Sequence, residues 1–176
     1  MPVGFIPNED QATIYANVTA PSGATLERTE KVVDAIQVAA QELPDVASVS
    51  TLAGYSVLSE GVGATFGMNL IGLQKWEERD RTDKEVIELL KEKTKHIKDA
   101  RIEFFTPPPV PGYGNSSGFE LRLLDKTGRG DLKQLEKVAN DFVRELRQHP
   151  AIGNAFTTFD ASFPQYLVSI DNIKAA

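Results

Sequence analysis

The stretch Leu26 to Thr51, LERTEKVVDAIQVAAQELPDVASVST, returns 106 residues later as Leu132 to Thr157, LKQLEKVANDFVRELRQHPAIGNAFT. The two align without a gap, Glu30-Lys31-Val32 on Glu136-Lys137-Val138, Pro44 on Pro150 and Val46 on Ile152. In the first copy Leu26, Val32, Val33, Ile36, Ala40 and Leu43 recur at three- and four-residue steps, the spacing of one apolar helix face. Leu132, Leu135, Val138, Phe142 and Leu146 repeat that stripe in the second. Each copy reads as helix, proline stop, strand, and repetition of such a unit argues for a duplicated module.

Working outward, Thr13 to Ala20 (TIYANVTA) is short and β-branched and is broken by Pro21-Ser22-Gly23, which predicts a strand before the first helix. Val46 to Leu52 alternates as a second strand, and Thr65 to Leu73 (TFGMNLIGL) supplies a third. The charged run Glu77 to Arg81 reads as a solvated entrance to a helix that Thr82 can cap and whose stripe is Val86, Leu89, Leu90, Lys93 and Ile97. Arg101 to Thr106 (RIEFFT) is a fourth strand, stopped by Pro107-Pro108-Pro109-Val110-Pro111, which cannot donate into a sheet. The expected class is α+β: a ferredoxin-like split βαβ module, βαββαβ, at residues 10–111. A second, incomplete βαβ module follows, with strands at Phe119 to Leu124 and Ala155 to Thr158, and Pro164 to Ile170 reads as a last strand that closes the chain. Half a module leaves a sheet edge uncovered, so the chain is expected to be part of something larger.

Composition bounds the function. Hydrophobic residues make up 41% of the 176 and charged residues 25%, ordinary values for a folded protein. A net charge of −6 provides no counterion release on a phosphate backbone, so no nucleic-acid partner is expected. No apolar run approaches the roughly 20 residues that cross a bilayer, and the chain is expected to be soluble as it stands. With no cysteine there is no thiolate nucleophile or disulfide. His96 and His149 have no second ligand at metal spacing, Glu9-Asp10, Glu77-Glu78 and Asp125 read as solvated carboxylates, and no Ser/His/Asp order supports a nucleophile. Neither an enzyme, a cofactor nor a metal is expected.

Three separated motifs carry a family resemblance. Pro7-Asn8-Glu9-Asp10-Gln11 with Pro21 to Thr29 resembles the segment after the seventh transmembrane helix of resistance-nodulation-division efflux transporters, in the hydrophobe/amphiphile group of Gram-negative bacteria. Tyr113 to Leu121 (YGNSSGFEL) and Pro164 to Asp171 (PQYLVSID) are similar to two further signatures of that region, in the same order. Ala12 stands where the family usually has glycine, and the loop after Gly54 is longer and poorer in aromatics than in well-known members.

The resemblance implies that 10–111 is a complete first porter subdomain, 112–160 the first half of a second, and 161–176 the start of a docking-domain segment. It places the chain in the periplasmic portion of an inner-membrane, proton-driven multidrug pump, without the proton relay. The implied partners are amphiphilic small molecules (drugs, dyes, bile salts, detergents), the rest of a homotrimeric transporter, a periplasmic adaptor and an outer-membrane channel. Substrate would be bound by Tyr15, Asn17, Thr19, Ser50, Tyr55, Val57, Leu58, Leu70, Glu103 and Phe105. A flexible loop from Gly54 to Gly63, with Gly54, Gly61 and Gly63, would act as a switch. Independently, Tyr15, Asn17 and Thr19 share one strand face, as do Glu103 and Phe105. The other function class is a scaffold that docks partner chains and binds no small molecule.

Overall fold

The computed structural model describes residues 9–110 and 118–162. The elements are β1 (Thr13–Thr19), α1 (Leu26–Gln41), β2 (Val46–Ser56), β3 (Gly61–Leu73), a 3-10 turn (Trp76–Glu78), α2 (Asp83–Thr94), β4 (Arg101–Phe105) and α3 (Leu132–Leu146). The chain divides into two compact units, Met1–Arg122 and Leu123–Ala176. In the first, four antiparallel strands run in the order β2-β3-β1-β4. The α+β class and the βαββαβ order are those expected.

One face of this sheet is closed by the two helices. Ile14, Ala16 and Val18 alternate along β1 and join Val33, Ile36, Ile71, Val86, Leu90 and Phe104 in a single buried core. Each large aliphatic side chain so buried contributes about 1.5–3 kcal/mol. α1 lies unusually close to β3 because Gly67 has no side chain: a Cβ there would stand 2.7 Å from Val33 Cγ1 and 3.1 Å from Thr29 Cγ2. Thr29 then donates its hydroxyl to Ala64 O at 2.6 Å. Asn69 donates to Val33 O at 2.9 Å and to Thr51 Oγ1 at 3.1 Å, so polar pins run beneath the same helix. α2 starts at the expected cap, with Thr82 and Glu85 forming a reciprocal capping box.

The residues after 118 depart from expectation. α3 forms over its apolar stripe and is capped by Asp131, whose side chain accepts from Gln134 N–H at 3.0 Å. Among the described residues, however, neither Phe119 to Leu124 nor Ala155 to Thr158 is a strand. Alternation decides which face a strand would bury, but a strand exists only where a neighbour takes its ladder hydrogen bonds. Phe119, Leu121, Leu123 and Leu124 stay exposed instead. The expected strand at Pro164 to Ile170, and the signatures Tyr113 to Leu121 and Pro164 to Asp171, fall wholly or mainly outside the described residues.

Two further readings need correction. The run Glu77 to Arg81 is not uniformly solvated, and Asp10 is not a solvated carboxylate. Arg79 Nη2 lies 2.8 Å from Asp10 Oδ1, with the two side chains 1% and 7% exposed. Asp10 also accepts Ala12 N–H and Asp83 N–H, each at 2.8 Å. Arg79 donates to Gln74 O at 3.1 Å and to Arg81 O at 2.6 Å, and its guanidinium stacks 4.5 Å from the Trp76 ring centroid. A charge flanked by charges in sequence is buried here because Asp10 supplies the counter-charge and two of the guanidinium nitrogens donate to backbone carbonyls. Burial alone would raise the Asp10 pKa, but the bonds from Ala12, Arg79 and Asp83 outweigh it and hold the carboxyl below its usual 3.8.

A carboxyl whose folded pKa is depressed stabilises the fold above its unfolded pKa and loses that stabilisation as pH falls through the folded value. Asp10→Asn leaves Arg79 buried without its counter-charge and is expected to cost about 3 kcal/mol at neutral pH. In chemical denaturation, the gap between wild type and variant should close on acidification below about pH 4. A gap unchanged at low pH would show that the carboxylate charge is not what matters.

Candidate functional site

The other face of the sheet is where the expected binding residues meet. Antiparallel register puts directly opposite residues on the same face. Tyr15 of β1 is opposite both Leu70 of β3 and Phe105 of β4, and Ser50 of β2 is opposite Leu70. One transverse row across all four strands therefore reads Ser50, Leu70, Tyr15, Phe105. The Tyr15 and Phe105 rings meet edge to face, with centroids 5.6 Å apart and planes at 77°. The next row reads Leu52, Met68, Asn17, Glu103, and beyond it Phe66, Thr19 and Arg101 lie in line. Seven of the ten expected binding residues thus share the face that the helices leave open.

The remaining three, Tyr55, Val57 and Leu58, belong to the β2–β3 hairpin, and here the structure differs from the expected loop. β2 runs on to Ser56 and β3 begins at Gly61, so only Val57 to Glu60 is turn, and Gly61 and Gly63 are strand residues. At the hairpin end two positions depart from regular strand geometry. Gly54 takes φ +92° at a bulge where the register shifts between Ala53 and Tyr55, and Glu60 takes φ +51° before β3 resumes. Bulges bend the strand that carries them. The bend brings Ser56, which pairs with Gly61 at the hairpin end, back to Asn17 in the middle of β1. Ser56 Oγ donates to Asn17 Oδ1 at 2.8 Å, with Ser56 1% and Asn17 2% exposed. Ser59 N–H reaches Ser56 Oγ at 3.4 Å, and a Cβ on Gly61 would stand 3.4 Å from the Phe66 ring.

Asn17 therefore holds the hairpin in addition to lying on the expected surface. Met68 and Phe105 are buried on this face, while Tyr15, Thr19, Leu70 and Glu103 are half-buried and Ser50 is exposed. The surface joins aromatic and aliphatic area to hydroxyls and a single carboxylate, a lining suited to amphiphiles. Ser56 and Met68 escaped the sequence reading. The only signal for Met68 was its parity with Leu70 along β3, and nothing in sequence marks Ser56, whose role depends on the bend.

The chain matches the AcrB/AcrD/AcrF family along residues 1–176. It belongs to that family. It is 33% identical over 181 residues to the toluene efflux pump membrane transporter TtgB of Pseudomonas putida, covering 100% of this chain and 17% of the relative. The multidrug export protein AcrF of Escherichia coli is 33% identical over 156 residues, covering 86% of this chain and 15% of its own length. The multidrug resistance protein MdtF, also of Escherichia coli, is 30% identical over 154 residues, with shares of 85% and 15%. The resemblance to the resistance-nodulation-division transporters is borne out, and this family member's chain spans about a sixth of the length of such relatives. These relatives are transporters rather than enzymes, and among the described residues no helix is long and apolar enough to cross a membrane.

Serine and asparagine at this contact should be energetically coupled. Ser56→Ala leaves the buried Asn17 oxygen unbonded and is expected to cost about 1–3 kcal/mol, with a coupling of about 1 kcal/mol in a double-mutant cycle with Asn17→Ala. Strict additivity in urea denaturation would mean that the contact does not hold the hairpin.

Proposed function

We propose that this chain is a periplasmic portion of an inner-membrane, proton-driven multidrug efflux pump, and that the open face of its four-stranded sheet forms one wall of the substrate cleft. In this reading residues 10–111 are a complete porter subdomain and 112–160 the first half of a second, while 161–176 lead into a docking segment. The intact protein is a trimer that works with a periplasmic adaptor and an outer-membrane channel. The observation that carries the reading is the transverse row Ser50, Leu70, Tyr15, Phe105, with the hairpin folded over its neighbours. Family membership and the efflux functions named for the relatives support it. Tyr15, Asn17, Thr19, Ser50, Leu70, Glu103 and Phe105 contact substrate from the strands, and Tyr55, Val57 and Leu58 do so from the hairpin. Gly54 supplies the bend on which the hairpin moves, and Gly61 and Gly63 keep its returning strand slim.

Amphiphilic, chemically varied substrates fit a wall of this kind because its apolar area is large and its polar groups are few. Titration of the chain with N-phenyl-naphthylamine, followed by fluorescence, is expected to saturate. Tyr15→Ala and Leu70→Ser should each weaken binding by roughly fivefold or more, since each removes apolar contact on the order of 1 kcal/mol. Val38→Ser, an exposed change on α1, should leave it unchanged. Absence of saturable binding, or equal losses in all three variants, would overturn the proposal in favour of a scaffold that only docks partner chains.

A further inference from the structure

Where the chain enters β1 and leaves β4, the first unit carries a groove of about 280 Å³ whose lining includes Glu9, Gln11, Trp76, Thr106, Pro107 and Pro109. Gln11 Nε2 donates to Pro108 O at 3.2 Å and ties the two passages of the chain together. None of these residues belongs to the wall proposed for substrate.

Trp76, the only tryptophan of the chain, is 58% exposed. An exposed aromatic ring is ordinary in itself. This one is also held in place: the Arg79 guanidinium covers one face at 4.5 Å from the ring centroid, and that guanidinium is 1% exposed and paired with Asp10. Among the described residues the indole N–H donates to no acceptor. A ring already fixed in one orientation loses little conformational entropy on docking, which is why buried tryptophan anchors carry so much of the energy of interfaces.

The charge around it is one-sided. Glu9, Glu77, Glu78 and Asp80 are exposed acids, against Lys75 and Lys84 as exposed bases. Arg79 and Arg81 do not redress the balance, because they are paired with Asp10 at 2.8 Å and with Asp45 at 2.7 Å. The turn therefore sets negative potential beside a groove of tryptophan and proline. Together these features select an occupant. A polyproline segment presents flat pyrrolidine rings and backbone carbonyls that have no internal partner, so it is met by an aromatic face and a donor. The acids call for basic residues beside it.

We propose that this corner docks a proline-rich segment of a partner protein with basic residues at its flanks. A pyrrolidine ring lies between Trp76 and the wall of Pro107 and Pro109, and the indole N–H bonds a carbonyl of the segment. Arg or Lys on either side meets Glu9 and the acids of the turn. The site shares no residue with the substrate wall, so failure of either reading leaves the other standing.

Titration of the whole chain with acetyl-Arg-Pro-Leu-Pro-Pro-Arg-amide, read by the emission of Trp76, is expected to saturate. The charge-reversed acetyl-Glu-Pro-Leu-Pro-Pro-Glu-amide and the proline-free acetyl-Arg-Gly-Ser-Gly-Gly-Arg-amide should each bind at least roughly fivefold more weakly. The double variant Glu9→Lys with Glu77→Lys, both exposed, should keep the circular dichroism of the wild type and lose roughly tenfold in affinity for the first peptide. Glu145→Lys, an exposed change on α3, should leave that affinity as it is. A non-saturating response, equal binding of the three peptides, unchanged affinity in the folded double variant, or an equal loss in Glu145→Lys would each overturn the proposal. A shift of Trp76 emission with phosphatidylcholine vesicles and none with the peptides would overturn it in favour of a membrane surface.

Discussion

The central strand β1 sets the rest of the first unit. It is hydrogen-bonded on both sides, to β3 and to β4, and each of its side chains is committed to one face by the two-residue period of the backbone. Ile14, Ala16 and Val18 go to the helices; Tyr15, Asn17 and Thr19 go to the other side. A slip of one residue would put Asn17 into the aliphatic core and Ile14 onto the open face, so the hydrophobic demand of the core and the layout of the candidate site are one constraint.

Both ends of this arrangement are tied down by polar groups. At the entry to β1, Asp10 receives two backbone N–H groups and the Arg79 guanidinium, fixing the connection from β3 to α2 against the start of the strand. The strain of this corner falls on Ala12, which takes φ +52° although it is not glycine. A glycine at this position would meet that dihedral without strain. At the middle of β1, Asn17 takes the opposite role and pulls the β2–β3 hairpin across the face. A stretch with three glycines is thus a bent hairpin whose end is held to the sheet face by the Ser56–Asn17 contact.

Much of this was legible in the residues. The strand and helix order followed from periodicity and proline stops, and the shared face of Tyr15, Asn17 and Thr19 followed from the strand period alone. Their meeting with Leu70, Ser50, Glu103 and Phe105 required the register, which no local pattern encodes. Arg79 and Asp10 were misread because neighbours in sequence are poor guides to solvation: Arg79 is surrounded by charged residues along the chain and by carbonyls, a carboxylate and Trp76 in space. The strands expected at Phe119 to Leu124 and Ala155 to Thr158 had the right alternation and lack a ladder partner among the described residues.

The hairpin end lies over the open sheet face, where Ser56 meets Asn17. The chain has no cysteine, so Ser59→Cys offers a unique site for a nitroxide label on the exposed turn. Paramagnetic broadening of amide signals should then extend beyond the hairpin to Asn17, Thr19 and Met68, and should weaken when Asn17→Ala is added. Broadening confined to residues 54–63, with the β1 amides untouched, would mean that the hairpin projects away from the sheet and would contradict this account.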